Sequence, residues 1–172
     1  MGEAIARDLI SKGWKVALAD INRNEALEKE LGPNAAFFKT NVADYDSHAE
    51  TFQAVFSKWG HVDALCANAG IVDKSSIYIL NQRESDTVPP APNLACTDVD
   101  WKGIVYGTQL AIHFMRKNPT PGGKIVATAS AAALYPHESY PEYNGAKAAV
   151  LNFMRGVSRV LKIVSDSPQR RG

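Results

Sequence analysis

The chain has 172 residues, enough for one domain with a real core and short for two. Hydrophobic residues make up 45% of it, which excludes a disordered chain. With 19 basic against 18 acidic residues and no long run of like charge, neither a nucleic-acid surface nor a membrane surface is expected, and the basic end Gln169-Arg170-Arg171-Gly172 is too short to change that.

Residues 2–12 place Ile5, Leu9 and Ile10 on one helical face, with Gly13 as a stop. Met1-Gly2-Glu3 leads straight into this alternately charged helix, so no secretory leader is read. Residues 14–19 read as a buried strand ended by Asp20. Asn24 can cap a short helix through Leu31, and Gly32-Pro33-Asn34 turns the chain. Residues 35–39 form a second strand, and Asp46 or Ser47 can open a helix through Lys58. Residues 62–67 form a third strand, which leads into Asn68-Ala69-Gly70. Residues 73–95 hold Pro89, Pro90 and Pro92 among Ser, Asn and Asp, which predicts an irregular surface excursion. A long helix follows over about 98–117, then a fourth strand over 124–129 and a last helix over about 142–162.

Strand and helix alternate, so the fold class is α/β, with a parallel sheet covered on both faces. Such sheets place ligands beyond the carboxyl ends of their strands, and Asp20, Asn41, Asn68 and Ser130 each follow a strand. Cys66 and Cys96 have neither metal-ligand spacing nor a disulfide pattern. Both are expected as buried thiols in a reduced, cytoplasmic setting. The histidines show no ligand pattern, so no metal is expected. No apolar run approaches the ~20 residues that cross a bilayer.

Tyr143 and Lys147 are four apart at the start of a helix and share a face. A phenol ordinarily titrates at about 10, too high for acid–base work at neutral pH. A nearby ammonium favours the phenolate. Ser130 ends the preceding strand, from where its hydroxyl can hydrogen-bond a substrate oxygen beside the tyrosine. Taken alone, a Tyr/Lys pair at this spacing is common and could be incidental.

The surroundings carry more. GKIVATASAAALYP followed by YNGAKAAVLNFMR resembles the short-chain dehydrogenase/reductase family in strand, serine, tyrosine, lysine and following helix. MGEAIARDLISKGWKVALADIN, NVAD, ANAG and DVDWKGIVYGTQLAI match further family segments in order, so the resemblance covers about residues 1–163. It implies a Rossmann-like, doubly wound parallel sheet and hydride transfer between a nicotinamide and a secondary alcohol/ketone pair. Tyr143 would be the general acid–base, Lys147 would assist it and bind the nicotinamide ribose, and Ser130 would position the carbonyl. Cofactor binding would also involve Gly2, Asp20, Asn41, Val42, Asn68, Ala69 and Gly70. A carboxylate at Asp20 favours NAD over NADP, with Arg23 close by. Asp100 stands where the family usually has an asparagine of its proton relay; it loses the amide donor and adds a charge. The family's dimer interface would fall on helices 98–117 and 142–162, which implies a homodimer or homotetramer. ALYPHESYPEY, and DIN after the second strand, most resemble members similar to 15-hydroxyprostaglandin dehydrogenase, which act on lipid-like or specialised metabolites.

The resemblance is incomplete at both ends. The family's first strand and glycine-rich TGxxxGxG turn find only Gly2 as a match, and the polar tail 164–172 stands where the family continues to C-terminal strands. A second reading is therefore a non-catalytic chain that acts only as a dimerisation partner or has no function. Because that turn supplies the amides that cradle a pyrophosphate, the purified chain is expected to bind NADH weakly or not at all. Fluorescence titration checks this, and saturable micromolar binding contradicts it.

Overall fold

The computed structural model describes residues 1–165; the polar end of the chain lies outside the described residues. Contacts divide the chain into two compact units, Met1–Ala69 with Lys102–Thr128, and Gly70–Trp101 with residues from Ala129 onward.

In the first unit, α1 (Gly2–Ser11) precedes β1 (Val16–Asp20), and α2 (Glu25–Leu31) crosses to β2 (Ala35–Lys39). Asn24 caps α2 as predicted, its Oδ1 accepting the Leu27 N–H at 3.0 Å. Helix α3 (Tyr45–Trp59) opens slightly earlier than predicted. Asp44 is its cap, accepting the Ser47 N–H at 3.0 Å. Gly60 closes α3 in the left-handed conformation at φ 77°, where a side chain would be strained. Then come β3 (Ala64–Ala67) and β4 (Lys124–Ala127). Asn118 braces the entry to both, accepting from Val62 N–H at 2.9 Å and donating to the Val62 and Gly122 carbonyls.

Among the described residues all pairing is parallel, as the alternation predicts. β1 runs beside β2 from Val16↔Ala35 to Asp20↔Lys39, and β3 beside β4 from Ala64↔Lys124 to Ala67↔Ala127. The strands form two pairs rather than one sheet. A cleft of about 690 Å³ lies between the pairs, lined by α1, β1, α3 and β3. Cys66 lines this cleft and is exposed, which corrects the expectation of a buried thiol. Phe52, Val62, Leu110, Ala111, Phe114 and Met115 form the core beneath β3 and β4. Ala6, Leu27 and Leu31 form a smaller one against β1 and β2.

The predicted helix 98–117 is two pieces, a π-helical turn and a shorter α-helix, and a further short helix precedes them. α4 (Ala95–Thr97) runs into a π-helical turn, Asp98–Lys102, which continues as α5 (Gly103–Met115) in the first unit. Such turns carry an extra residue per coil and recur at functional sites; this one holds Asp100. The Pro-rich excursion is irregular as predicted, with one short turn at Leu80–Gln82. The Tyr78 hydroxyl ties it to the Glu138 carbonyl at 2.8 Å. α6 (Pro141–Ser165) begins with proline at its first position, where no N–H is needed. Trp101 meets Phe153 of α6 edge-on, with ring centres 5.2 Å apart. Among the described residues no helix is long and apolar enough to cross a membrane.

His48 on α3 is 6% exposed and packs on Phe52, with its Nδ1 unpartnered. A Cβ at Gly107 would come within 2.9 Å of its Cε1, so glycine lets α5 approach the ring. Burial holds the imidazole below its ordinary range. The unfolded chain then binds a proton at a pH where the folded chain does not, so stability is full above about 6.5 and falls as pH drops below it. Urea unfolding between pH 7.5 and 5 is expected to show this loss, and His48→Gln to reduce it; an identical pH dependence in the variant contradicts the assignment.

Candidate active site

Ser130 follows β4 and opens a tight 3-10 turn, Ala131–Ala133, its Oγ accepting the Ala132 N–H at 3.1 Å. The loop beyond is bound to α6. Asn144 accepts the His137 N–H and donates to the His137 carbonyl. Tyr143 sits half-buried in the first turn of α6. Lys147 follows one turn later on the same face, its Nζ 5.5 Å from the Tyr143 ring centre. The spacing of four residues does what the helical repeat requires.

Asp100 is wholly buried. Its Oδ2 is 3.0 Å from the Lys147 ammonium, whose side chain is 4% exposed. Its Oδ1 accepts the Ile71 N–H at 2.7 Å. The charge that aspartate adds is therefore paired. Gly70 makes the approach possible, since a Cβ there would stand 3.0 Å from Asp100 Oδ2 and 3.3 Å from Lys147 Nζ. Ser130, Tyr143, Lys147, Asp100 and Gly70 all belong to the second unit.

The remaining predicted residues belong to the first unit. Asp20 is exposed at the end of β1, and its Oδ1 accepts the Asn22 N–H at 2.9 Å. Asn68 follows β3 and accepts the Thr128 hydroxyl at 3.1 Å. Gly2 opens α1 against it, where a Cβ would lie 3.3 Å from Asn68 Nδ2. Gly2, Asp20, Asn68 and Ala69 all line the cleft between the strand pairs. Asn41 and Val42 lie outside that lining. Asn41 is occupied by a local turn, accepting the Ala43 N–H and donating its own to Ser47 Oγ. Val42 packs where a Cβ at Gly103 would meet its Cγ2 at 3.1 Å.

An exposed carboxylate at the end of β1 and a helix N-terminus beside Asn68 suit the two needs of a dinucleotide, ribose hydroxyls to be accepted and phosphate to be met by N–H groups. One residue escaped the sequence reading. Asp73 accepts the backbone N–H of Glu142 and Tyr143. Nothing local to Asp73 signals a contact across some seventy positions.

The family model for short chain dehydrogenases matches residues 1–163. Short-chain dehydrogenase/reductase prx6 of Penicillium rubens is 53% identical over 167 residues, covering 94% of this chain and 56% of that protein. The 15-hydroxyprostaglandin dehydrogenase [NAD(+)] of Homo sapiens is 27% identical over 174 residues, covering 96% and 59%. A crystal structure of 3-oxoacyl-[acyl-carrier protein] reductase from Brucella melitensis in complex with NAD superposes with a TM-score of 0.77 at 28% identity, covering 91% of this chain and 62% of that one. The chain thus spans less than two thirds of the length of each of these proteins.

The buried ion pair makes a direct prediction. Asp100→Ala leaves the Lys147 ammonium without its counter-charge and is expected to cost about 3–5 kcal/mol, read as a lower urea midpoint. Adding Lys147→Met should recover most of that loss. Equal stability of the Asp100→Ala chain and the wild type contradicts the pairing.

Proposed function

Because the chain belongs to the short-chain dehydrogenase family of oxidoreductases, we propose that it interconverts a secondary alcohol and a ketone with a nicotinamide dinucleotide, and that Tyr143 is its general acid–base. The observation that carries this is the placement of Lys147 one turn from Tyr143, its Nζ 5.5 Å from the ring centre in a buried setting fixed by Asp100. When bound, the nicotinamide supplies the hydride chemistry. The chain supplies the proton and the geometry. Tyr143 gives its phenolic proton to the carbonyl oxygen in reduction, or takes the proton from the alcohol in oxidation. Ser130 donates a hydrogen bond to the same oxygen and holds it against the phenol. Lys147 supplies positive charge beside the phenol as the proton leaves.

Gly2, Asp20, Asn68 and Ala69 would hold the dinucleotide at the strand ends of the first unit, with Asn41 and Val42 toward the adenine. Two observations favour NAD over NADP. The Asp20 carboxylate would repel a 2′-phosphate. Arg23, the cation nearest in sequence, is bound to Glu28 at 2.8 Å. The human and Brucella relatives are also described with NAD. The substrate is an apolar, lipid-like or specialised metabolite. Its support is the exposed apolar side chains of two segments, Ile77, Tyr78 and Leu80 in the excursion and Leu134 and Tyr135 after Ser130, segments tied where Tyr78 holds the Glu138 carbonyl. Assembly into a homodimer or homotetramer through α5 and α6 belongs to the same reading, as does a reducing, cytoplasmic setting for two unpaired thiols.

The purified chain is to be assayed with NAD and with NADP against a panel of secondary alcohols and ketones. Tyr143→Phe is expected to lower kcat by roughly 10²–10⁴-fold and to leave the cofactor KM unchanged. Retained turnover removes Tyr143 from this role.

A further inference from the structure

We propose that Asp73 is a positioning residue for Tyr143: its carboxylate, carried by the segment just after Gly70, closes the N-terminus of α6 and fixes the turn that bears the phenol. The proposal rests on the acid–base reading of Tyr143.

A helix leaves its first N–H groups without partners, and a side chain just before the first turn ordinarily accepts from the second or third. Here the residue before the helix is Tyr140, which has no such acceptor, and Pro141 has no N–H to satisfy. The next two donors are Glu142 and Tyr143. Asp73 Oδ2 accepts the first at 3.0 Å and Asp73 Oδ1 the second at 2.8 Å. A residue 70 positions away does the work of a local cap, and its negative charge sits at the positive end of the helix dipole.

Asp73 is itself held. Two residues earlier, the Ile71 N–H is bound to Asp100 at 2.7 Å and the Ile71 carbonyl accepts the Cys96 thiol at 3.2 Å. Glu142, next to Tyr143, accepts the Thr97 N–H at 2.8 Å. Residues 70–73 are thus fastened to the Asp100–Lys147 pair at one end and to the Tyr143 turn at the other. Phenol and ammonium are tied through the helix that bears both and again through this second path.

Asp73, Cys96 and Glu142 bring ligand-type atoms within 4.8 Å of one another, which raises a cation site as the rival reading. The donor chemistry opposes it. Both Asp73 oxygens and Glu142 Oε1 already accept N–H groups. Burial, and then the Asp100, Glu142 and Asp73 carboxylates, push the Cys96 thiol up to about 12, so it stays a proton donor to Ile71. The cluster is a hydrogen-bond node.

The test uses the full chain with Asp73→Ala, Asp73→Asn, Tyr143→Phe and, as a control in the irregular excursion, Asp86→Ala. Amide hydrogen exchange is read by NMR alongside kcat and KM. Asp73→Ala should speed exchange at Glu142 and Tyr143 by about fivefold or more, the factor that a typical N-cap of ~1 kcal/mol represents, while residues 147–155 keep their protection. It should lower kcat about tenfold or more with both KM values unchanged. Asp73→Asn, which keeps an acceptor oxygen, should restore part of both, and Asp86→Ala should change neither. Unaltered exchange in Asp73→Ala overturns the proposal. So does altered exchange with full kcat in a chain whose Tyr143→Phe variant is inactive, which leaves Asp73 a structural cap only. A wild-type chain without turnover sinks the acid–base reading and this proposal together.

Discussion

A buried ammonium needs a counter-charge, and Lys147 finds one in Asp100 at 3.0 Å. Much of the second unit is arranged around that requirement. Asp100 reaches the lysine from a π-helical turn. Its second oxygen is taken by the Ile71 N–H. Gly70 is bare because a Cβ there would press on both charges. Desolvating two ions is expensive, and their attraction repays it only when the geometry is good and the remaining polar atoms are satisfied. Such a pair adds little to net stability, yet it fixes where the lysine points. On the acid–base reading proposed for Tyr143, that is the useful property.

The first unit solves a different problem. Two parallel strand pairs face a cleft, and helices cover them through two separate cores. Parallel pairs place their carboxyl ends together, and that is where Asp20 and Asn68 stand. Close packing is obtained by small residues at the contacts. Gly2 meets Asn68, Gly103 meets Val42 and Gly107 meets His48, each at a distance that a methyl group would crowd. These glycines are spaced through helices rather than gathered in a turn. Their role here is contact between elements, not freedom of the backbone.

Much of this was legible in the sequence, and what was legible was local. Asn24 before a periodic run, the four-residue step from Tyr143 to Lys147, and polar residues placed just after strands are short-range patterns with direct physical meaning. Strand β2 falls on the predicted residues, because AAFFK lies between a proline turn and a polar loop. The misses share one cause. Cys66 reads as core from its apolar neighbours, yet it is exposed on a strand that lines the cleft. The helix through Asp100 looks uniform in its periodicity, yet it is broken by a π turn that composition does not mark. Which residues neutralise a charge, or which side of a strand faces another element, is decided by tertiary contacts.

The two ways of capping a helix make the same point in energetic terms. At α2 and α3 the caps Asn24 and Asp44 come from the residue just before the helix, so helix and cap are specified together and form together. At α6 the cap is Asp73, and it exists only once the segment after Gly70 has folded against Asp100. A local cap stabilises a helix in any context. A remote cap stabilises it only in the folded unit, so the first turn of α6 is ordered by the closure of the network that also sets Lys147. The residues proposed for the chemistry are written in a local motif, whereas the turn that bears Tyr143 is closed by a carboxylate that the motif does not contain.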